Sequence, residues 1–75
     1  MNLDEQHFLR ELGRRLRQRR QARQWTQADL ASRCELHRTF IGSVERGERN
    51  VSILNLRLIA RVLRVPLDQL LGKLA

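Results

Sequence analysis

Apolar residues recur at three- and four-residue intervals along the first third of the chain. From about Leu3 to Arg23 they fall among strong helix formers, and this spacing places them on one stripe of an α-helix. The stripe is narrow, and its expected buried positions are Leu9, Leu12, Leu16 and Ala22. The pattern therefore predicts a first helix with one core-facing side and a broad polar side.

Two shorter helices follow, joined by a tight turn. The first begins after Thr26, a good N-cap residue, and ends near Arg33 or Cys34. The second runs from about Arg38 to Arg46 and stops at Gly47. The core positions expected in this pair of helices are Ala28, Leu30, Ala31, Ile41 and Val44.

The remaining pattern predicts a fourth helix and a short fifth one. Ser52 can cap the fourth helix, and Pro66 suits the first turn of a fifth helix that runs through Leu71 and closes at Gly72. In the fourth helix the three-four spacing is kept by Ile53, Leu56, Ile59, Ala60 and Leu63. Five short helices without a Gly/Ser-rich linker predict an all-α fold, with residues 1–75 forming one domain.

The charge of the chain favours a polyanionic partner. Fifteen Lys and Arg stand against eight Asp and Glu, a formal net charge of +7, and fourteen of the fifteen cations are arginine. The planar arginine fork suits phosphate and guanine better than lysine does. GC-rich coding would also raise the ratio of arginine to lysine, so the charge supports a nucleic-acid partner without identifying one.

Several classes of protein fit the sequence poorly. Seventy-five residues leave little room for a substrate cavity, and no nucleophile, base and acid are grouped, so we expect neither an enzyme nor a cofactor. One cysteine, Cys34, and two distant histidines provide no zinc site, and Cys34 is expected in the core. No apolar run is long enough to span a membrane and no leader is recognisable, so we expect a cytoplasmic protein.

Candidate contacts to DNA lie on the second and third predicted helices. Thr26 and Gln27 stand at a helix N-terminus, where a hydroxyl and an amide can hold a phosphate. Arg38, Thr39 and Ser43 share a predicted exposed face of the third helix and have the chemistry to reach base edges. A simple helix cap and a solvated polar face are the alternatives for these two groups.

The ordered spacing resembles a known family of DNA-binding domains. Its motifs are Leu12-Gly13-(x2)-Leu16-Arg17-(x2)-Arg20, Trp25-Thr26-Gln27-(x2)-Leu30-Ala31, and Arg38 to Asn50 with Arg-Thr-Phe-Ile at its start. Together they are similar to the Cro and phage-repressor type of helix-turn-helix domain, often called the XRE family, over about residues 9 to 71. The resemblance implies a sequence-specific regulator that places its third helix in the major groove of double-stranded DNA.

The resemblance also implies a role for individual residues. Base contacts fall on Arg38, Thr39 and Ser43, and Arg20 and Glu45 match a buried salt bridge between the first and third helices. His37 occupies a usual cap position that a histidine caps poorly. The implied or candidate phosphate contacts are Thr26, Gln27, His37, Phe40, Arg46, Asn50 and Ser52.

Three residues depart from the family pattern. Glu35 lies in the turn between the helices, where Gly or Asn would adopt a positive φ more easily. Phe40 lacks the hydroxyl of the usual tyrosine. Gly42 lies inside the third helix at a cost of up to about 1 kcal/mol. Either close approach to DNA or close helix packing would explain Gly42.

Within the family, the stretch from Arg38 to Asn50 looks most like the controller proteins of restriction-modification systems. These small regulators bind operators as dimers and both activate and repress, and activation implies a contact with RNA polymerase. Small phage repressors and antitoxins, whose main partner is another protein, have similar lengths. Nonspecific nucleic-acid packaging, driven by charge alone, is a further alternative.

A second apolar row on the fourth helix predicts a homodimer. Leu54, Leu58 and Val62 repeat every four residues away from the main core stripe, and an uncovered row on a small domain suggests a partner surface. With the fifth helix, the predicted interface comprises Leu54, Leu58, Val62, Leu67, Leu70 and Leu71. The alternative is that the fifth helix folds over this row. A twofold dimer predicts half-sites roughly 34 Å apart.

Overall fold

Five α-helices form the framework of the computed structural model, which describes residues 2–74. Their order confirms the predicted all-α class, and the pair formed by the second and third helices has the expected short turn between its members. The helices are α1 (Leu3–Ala22), α2 (Gln27–Cys34), α3 (Arg38–Glu45), α4 (Ile53–Leu63) and α5 (Leu67–Leu71).

Side-chain caps fix where the central helices begin. The Thr26 hydroxyl accepts a hydrogen bond from the Asp29 amide at 3.0 Å, and the Asp29 carboxylate accepts one from the Thr26 amide at 2.8 Å. This reciprocal pair is a capping box. Ser52 caps α4 by accepting from the Asn55 amide at 3.1 Å. Both predicted N-caps are therefore confirmed.

The ends of α2 and α4 turn through left-handed residues that are not glycine. Glu35 has φ 55° and Arg64 has φ 58°, and each backbone amide donates to the last turn of its helix. A left-handed conformation costs a residue with a Cβ about 1–2 kcal/mol. The turn before α3 is therefore strained at Glu35, as its place in the sequence predicted.

The core lies where α3 is enclosed by α1 and α2, with α4 and α5 completing the wall. Its largest fully buried side chains come from all five helices and are Leu16, Leu30, Ile41, Ile59, Leu63 and Leu70. Gly13 lets α1 approach α3 closely, because a Cβ at this position would overlap the carbonyl oxygens of Val44 and Glu45. Cys34 is buried in this core, as predicted.

Arginines of α1 hold the carboxyl ends of α4 and α5. Arg15 Nη1 donates to the carbonyl oxygens of Leu70 at 3.1 Å and Gly72 at 2.6 Å. Arg23 Nε donates to the Leu63 carbonyl at 3.1 Å. The last carbonyls of a helix lack intrahelical partners, so these guanidinium groups satisfy them and fix both helices against α1.

Three residues expected in the core are exposed, and one residue expected at the dimer surface is buried. Ala22 is exposed because Arg20, and not Ala22, continues the α1 stripe four residues after Leu16. Ala28 is exposed because α2 buries the side that carries Leu30, Ala31 and Cys34. Ile53 is 62% exposed at the first residue of α4. Leu70, predicted at the dimer surface, is fully buried because α5 turns this residue into the core.

Candidate nucleic-acid interface

The exposed face of α3 begins with Arg38 and Thr39. Both side chains are exposed, whereas Ile41 and Val44 on the opposite side belong to the core. Within residues 2–74 the Arg38 guanidinium makes no hydrogen bond or ion pair with the protein. Arg38 is therefore available to a ligand, as the sequence predicted.

A depression of about 220 Å3 lies in the middle of this face. Its lining residues are Gln27, Arg38, Thr39, Gly42 and Arg46. Gly42 forms part of this lining and is buried beneath the side chains of Arg46 and of Gln27 on α2, while no backbone of another helix approaches it. The depression is surrounded by hydrogen-bond donors that could meet the acceptors of a base edge.

Ser43 does not lie on the exposed face, and this part of the prediction is wrong. The residue is 9% exposed, and its hydroxyl donates to the Phe40 carbonyl at 2.7 Å. The same oxygen accepts from Arg49 Nε at 3.1 Å. The Ser43 hydroxyl is used by the Phe40 carbonyl and the Arg49 guanidinium. Ser43 therefore holds Arg49 and is not free to contact bases.

The predicted ion pair between α1 and α3 is present and is nearly inaccessible to solvent. Arg20 Nε and Nη2 donate to the two Glu45 carboxylate oxygens at 2.7 and 3.0 Å, and Arg20 Nη1 donates to the Trp25 carbonyl at 2.7 Å. The hydrogen bonds to Glu45 raise the pKa of Arg20, while burial opposes the rise. The bidentate geometry fixes α3 against α1.

Gln27 connects this ion pair to the exposed depression. Its Nε2 donates to Glu45 Oε1 at 3.1 Å, and Glu45 in turn is held by Arg20. The bond orients the Gln27 amide along α3 and leaves its Oε1 beside Gly42. Gln27 is thus a half-buried, oriented residue and not a freely solvated one.

The amino end of α2 is less open to an anion than the sequence suggested. Asp29 completes the capping box, so a carboxylate already occupies one backbone amide there. Hydrogen bonds from the Thr26 amide and hydroxyl lower the pKa of Asp29. Thr26 is fully explained as a cap, because its amide and its hydroxyl both bond to Asp29.

His37 caps α3, contrary to the expectation that it would cap poorly. Its Nδ1 accepts from the Thr39 amide at 3.0 Å. An imidazole nitrogen can replace the usual oxygen because the ring reaches the same amide. The exposed ring stands beside Arg38, at the start of the exposed face.

The end of α3 adds further polar groups. The Arg49 guanidinium lies 5.0 Å from the centre of the half-buried Phe40 ring, a cation–π arrangement. Arg46 is exposed and pairs with Glu48 at 3.0 Å. Asn50 and Ser52 are exposed nearby, with the Ser52 oxygen used as a helix cap. These residues continue the polar surface toward α4.

Two contributors to this surface, Arg49 and the depression at Gly42, were not assigned from the sequence. Arg49 was not predicted, and only the fold shows that Ser43 and Phe40 hold its guanidinium. The sequence signal for the depression is a glycine, Gly42, four residues after Arg38 and therefore on the same side of the helix.

Two other features bear on function. In residues 2–74, no group of three or more His, Cys, Asp or Glu side chains could hold a metal ion. None of the helices in this part of the chain is long and apolar enough to cross a membrane.

Comparison with protein families identifies the fold. The model of the HTH_3 helix-turn-helix family matches residues 16–70. The control protein C.BamHI of Bacillus amyloliquefaciens is 43% identical over 60 residues, which cover 79% of this chain and 74% of that protein.

Solved structures agree in sequence and in fold. The restriction-modification controller protein C.AhdI from Aeromonas hydrophila superposes with a TM-score of 0.80 and 40% identity, over 83% of this chain and 94% of that one. The controller protein C.Esp1396I, solved as a tetramer in complex with its natural 35 base-pair operator, gives a TM-score of 0.78 and 33% identity over 89% of this chain and 88% of that one.

Proposed function

Because the chain belongs to the HTH_3 helix-turn-helix family, among the controller proteins of restriction-modification systems, we propose that it controls such a system as a dimer on a pseudo-palindromic operator. It is a DNA-binding transcription regulator. The observation that carries the proposal is the agreement with controller proteins over most of the chain in both sequence and fold. The proteins that it resembles are regulators, and we assign it no catalytic role.

In this proposal α3 enters the major groove with its exposed face toward the bases. Arg38 and Thr39 contact base edges, since both are exposed at the amino end of α3 and Arg38 has no partner elsewhere in residues 2–74. Arg46, eight residues after Arg38 and seven after Thr39, extends the cationic surface. Ser43 acts inside the protein by holding Arg49.

The phosphate backbone is contacted around this helix. Gln27 is the strongest candidate, because Glu45 accepts one hydrogen of its Nε2 and fixes the amide, which leaves the second hydrogen to donate to a phosphate. The further candidates have exposed or half-exposed polar or aromatic groups on the same surface and are Thr26, His37, Phe40, Arg46, Asn50 and Ser52. Contacts of this kind fix register and add affinity that does not depend on sequence.

The dimer is proposed to form through the apolar row of α4 and the adjacent part of α5. Leu54 is 69% exposed, and Leu58 and Val62 are half-buried beside it. Leu67 and Leu71 of α5 are also half-buried, so they complete an apolar surface without Leu70. A twofold axis through this surface would place the two α3 helices in successive major grooves. RNA polymerase contact, needed for activation, remains a prediction from the family resemblance.

Selection of bound sequences from random DNA by the purified protein tests the proposal. We expect a pseudo-palindrome with half-site centres roughly 34 Å apart. Sedimentation of the protein alone should give the mass of a dimer. Recovery of no preferred sequence, once salt screens the phosphates, would instead identify a nonspecific packaging protein.

A further inference from the structure

Gly42 has a cost in α3 that no backbone contact explains. Glycine inside a helix is about 1 kcal/mol less favourable than alanine. Gly47 needs its glycine, since its φ is +72°, and Gly13 needs its own because α3 backbone lies against it. Gly42 lies within the helix and has no positive φ.

Gly42 is buried beneath the ends of two flexible side chains, and no backbone of another helix limits the space beside it. A Cβ there would lie 3.1 Å from Arg46 Nη1 and 3.3 Å from Gln27 Oε1. Both groups can move a few tenths of an ångström by small rotations of long side chains. The folded protein could therefore accept alanine at Gly42, and the gain in helix propensity would offset the adjustment.

Gly42 lies on the face of α3 that is proposed to meet DNA. Arg38 lies four residues before it and Arg46 four residues after it, so the three share one line along the helix. A side chain at the middle of this line would project toward the groove between the two guanidinium groups. Its absence leaves the depression that Gln27 and Thr39 also line.

We propose that Gly42 determines specificity by leaving room on α3 for the C5 methyl group of a thymine. This inference rests on the proposed function, because it assumes that α3 lies in the major groove. The thymine methyl is the apolar group that projects from a base edge there. It would reach the backbone of Gly42 once the ends of Gln27 and Arg46 move aside, while Arg38 meets an acceptor on a neighbouring base. No other base carries a methyl group at this edge.

Gly42→Ala tests the inference on the sequence selected from random DNA. Binding to that operator should weaken about tenfold or more, as expected for loss of a base contact. Binding to scrambled DNA should stay within about twofold, and the Tm should be unchanged or higher. The matched control Gly13→Ala should lower the Tm, because its Cβ meets backbone.

Deoxyuridine in place of single thymines identifies the contacted base. For the wild-type protein, one position in each half-site should lose about fourfold in affinity, the value for burial of one methyl group. Gly42→Ala should bind the thymine and deoxyuridine operators equally at that position. Asn50→Ala, as a second control outside the depression, should keep the wild-type preference for thymine while it weakens binding to every DNA.

Two results would overturn the inference. One is wild-type affinity of Gly42→Ala for the operator, or indifference of the wild-type protein to deoxyuridine at every thymine. The other is an equal loss on operator and scrambled DNA, which would assign the effect to displacement of the Gln27 phosphate contact. Failure of the proposed function is distinguishable, because the wild-type protein would then select no operator.

Discussion

The arginines of α1 and those of α3 carry the same charge but have different partners. On α1 and at its C-cap, Arg15 and Arg23 bind carbonyl oxygens at helix ends, and Arg20 binds the buried Glu45 carboxylate. On α3, Arg38 has no protein partner within residues 2–74. The difference teaches that the count of fourteen arginines overstates the number of guanidinium groups available to DNA, because some of them stabilise the fold.

Removal of Arg20 should cause the largest loss of stability among these arginines. Arg20→Ala leaves Glu45 buried without its counter-charge, so we expect a loss of about 3–5 kcal/mol in the free energy of unfolding. Urea denaturation followed by circular dichroism measures it. The matched control is Arg17→Ala, an exposed arginine of α1 that should change stability by less than about 0.5 kcal/mol. Equal stability of the two variants would refute the structural role of Arg20.

Removal of Arg38 should affect DNA binding instead of stability. Arg38→Ala should weaken operator binding by about 1–3 kcal/mol and relax the preference at one base pair in each half-site. Its unfolding midpoint should equal that of the wild-type protein, because the side chain is exposed. Fluorescence anisotropy with operator and scrambled duplexes measures the two affinities. An equal loss on both duplexes would remove Arg38 from base recognition.

Removal of Arg15 should have an intermediate effect on stability. Its guanidinium satisfies carbonyl oxygens at Leu70 and Gly72, so Arg15→Ala should cost about 1–2 kcal/mol. Amide hydrogen exchange should show the loss at α5 first, because these carbonyls end that helix. Unchanged protection of α5 would show that the contact contributes nothing measurable.

The smallest expected effect concerns pH and the capping box of α2. Asp29 has a lowered pKa in the folded protein, so its contribution to stability is present above the unfolded value near about 3.9 and is lost as the pH falls through the folded value. Asp29→Asn should therefore lower the Tm slightly at neutral pH and not below the folded pKa. A Tm difference that stays constant down to about pH 2 would contradict this.

The helix boundaries were predictable because caps act locally. Thr26, Ser52 and Gly47 mark turns whose chemistry depends on neighbours within four residues, and each lies at its expected boundary. The pairing of Arg20 with Glu45 spans 25 residues, and it was expected from a family resemblance instead of from local pattern. The local sequence therefore predicted the helices better than it predicted the contacts between them.

Two site residues could not be placed correctly from helical periodicity alone. Ser43 lies next to Gly42, and a helix rotates by about 100° per residue, so a small error in the buried direction moved it from core to surface. Leu70 belongs to a helix of five residues, which is too short for a clear period. Both positions depend on how α1, α3 and α5 pack together.

A crystal structure of the protein on its selected operator tests the central claim most directly. We predict that Arg38 and the Gly42 depression face base edges in the major groove, while Arg15, Arg20 and Arg23 keep their present protein partners. The account would be contradicted if α3 lay away from the groove. It would also be contradicted if the α1 arginines left those partners to bind phosphates.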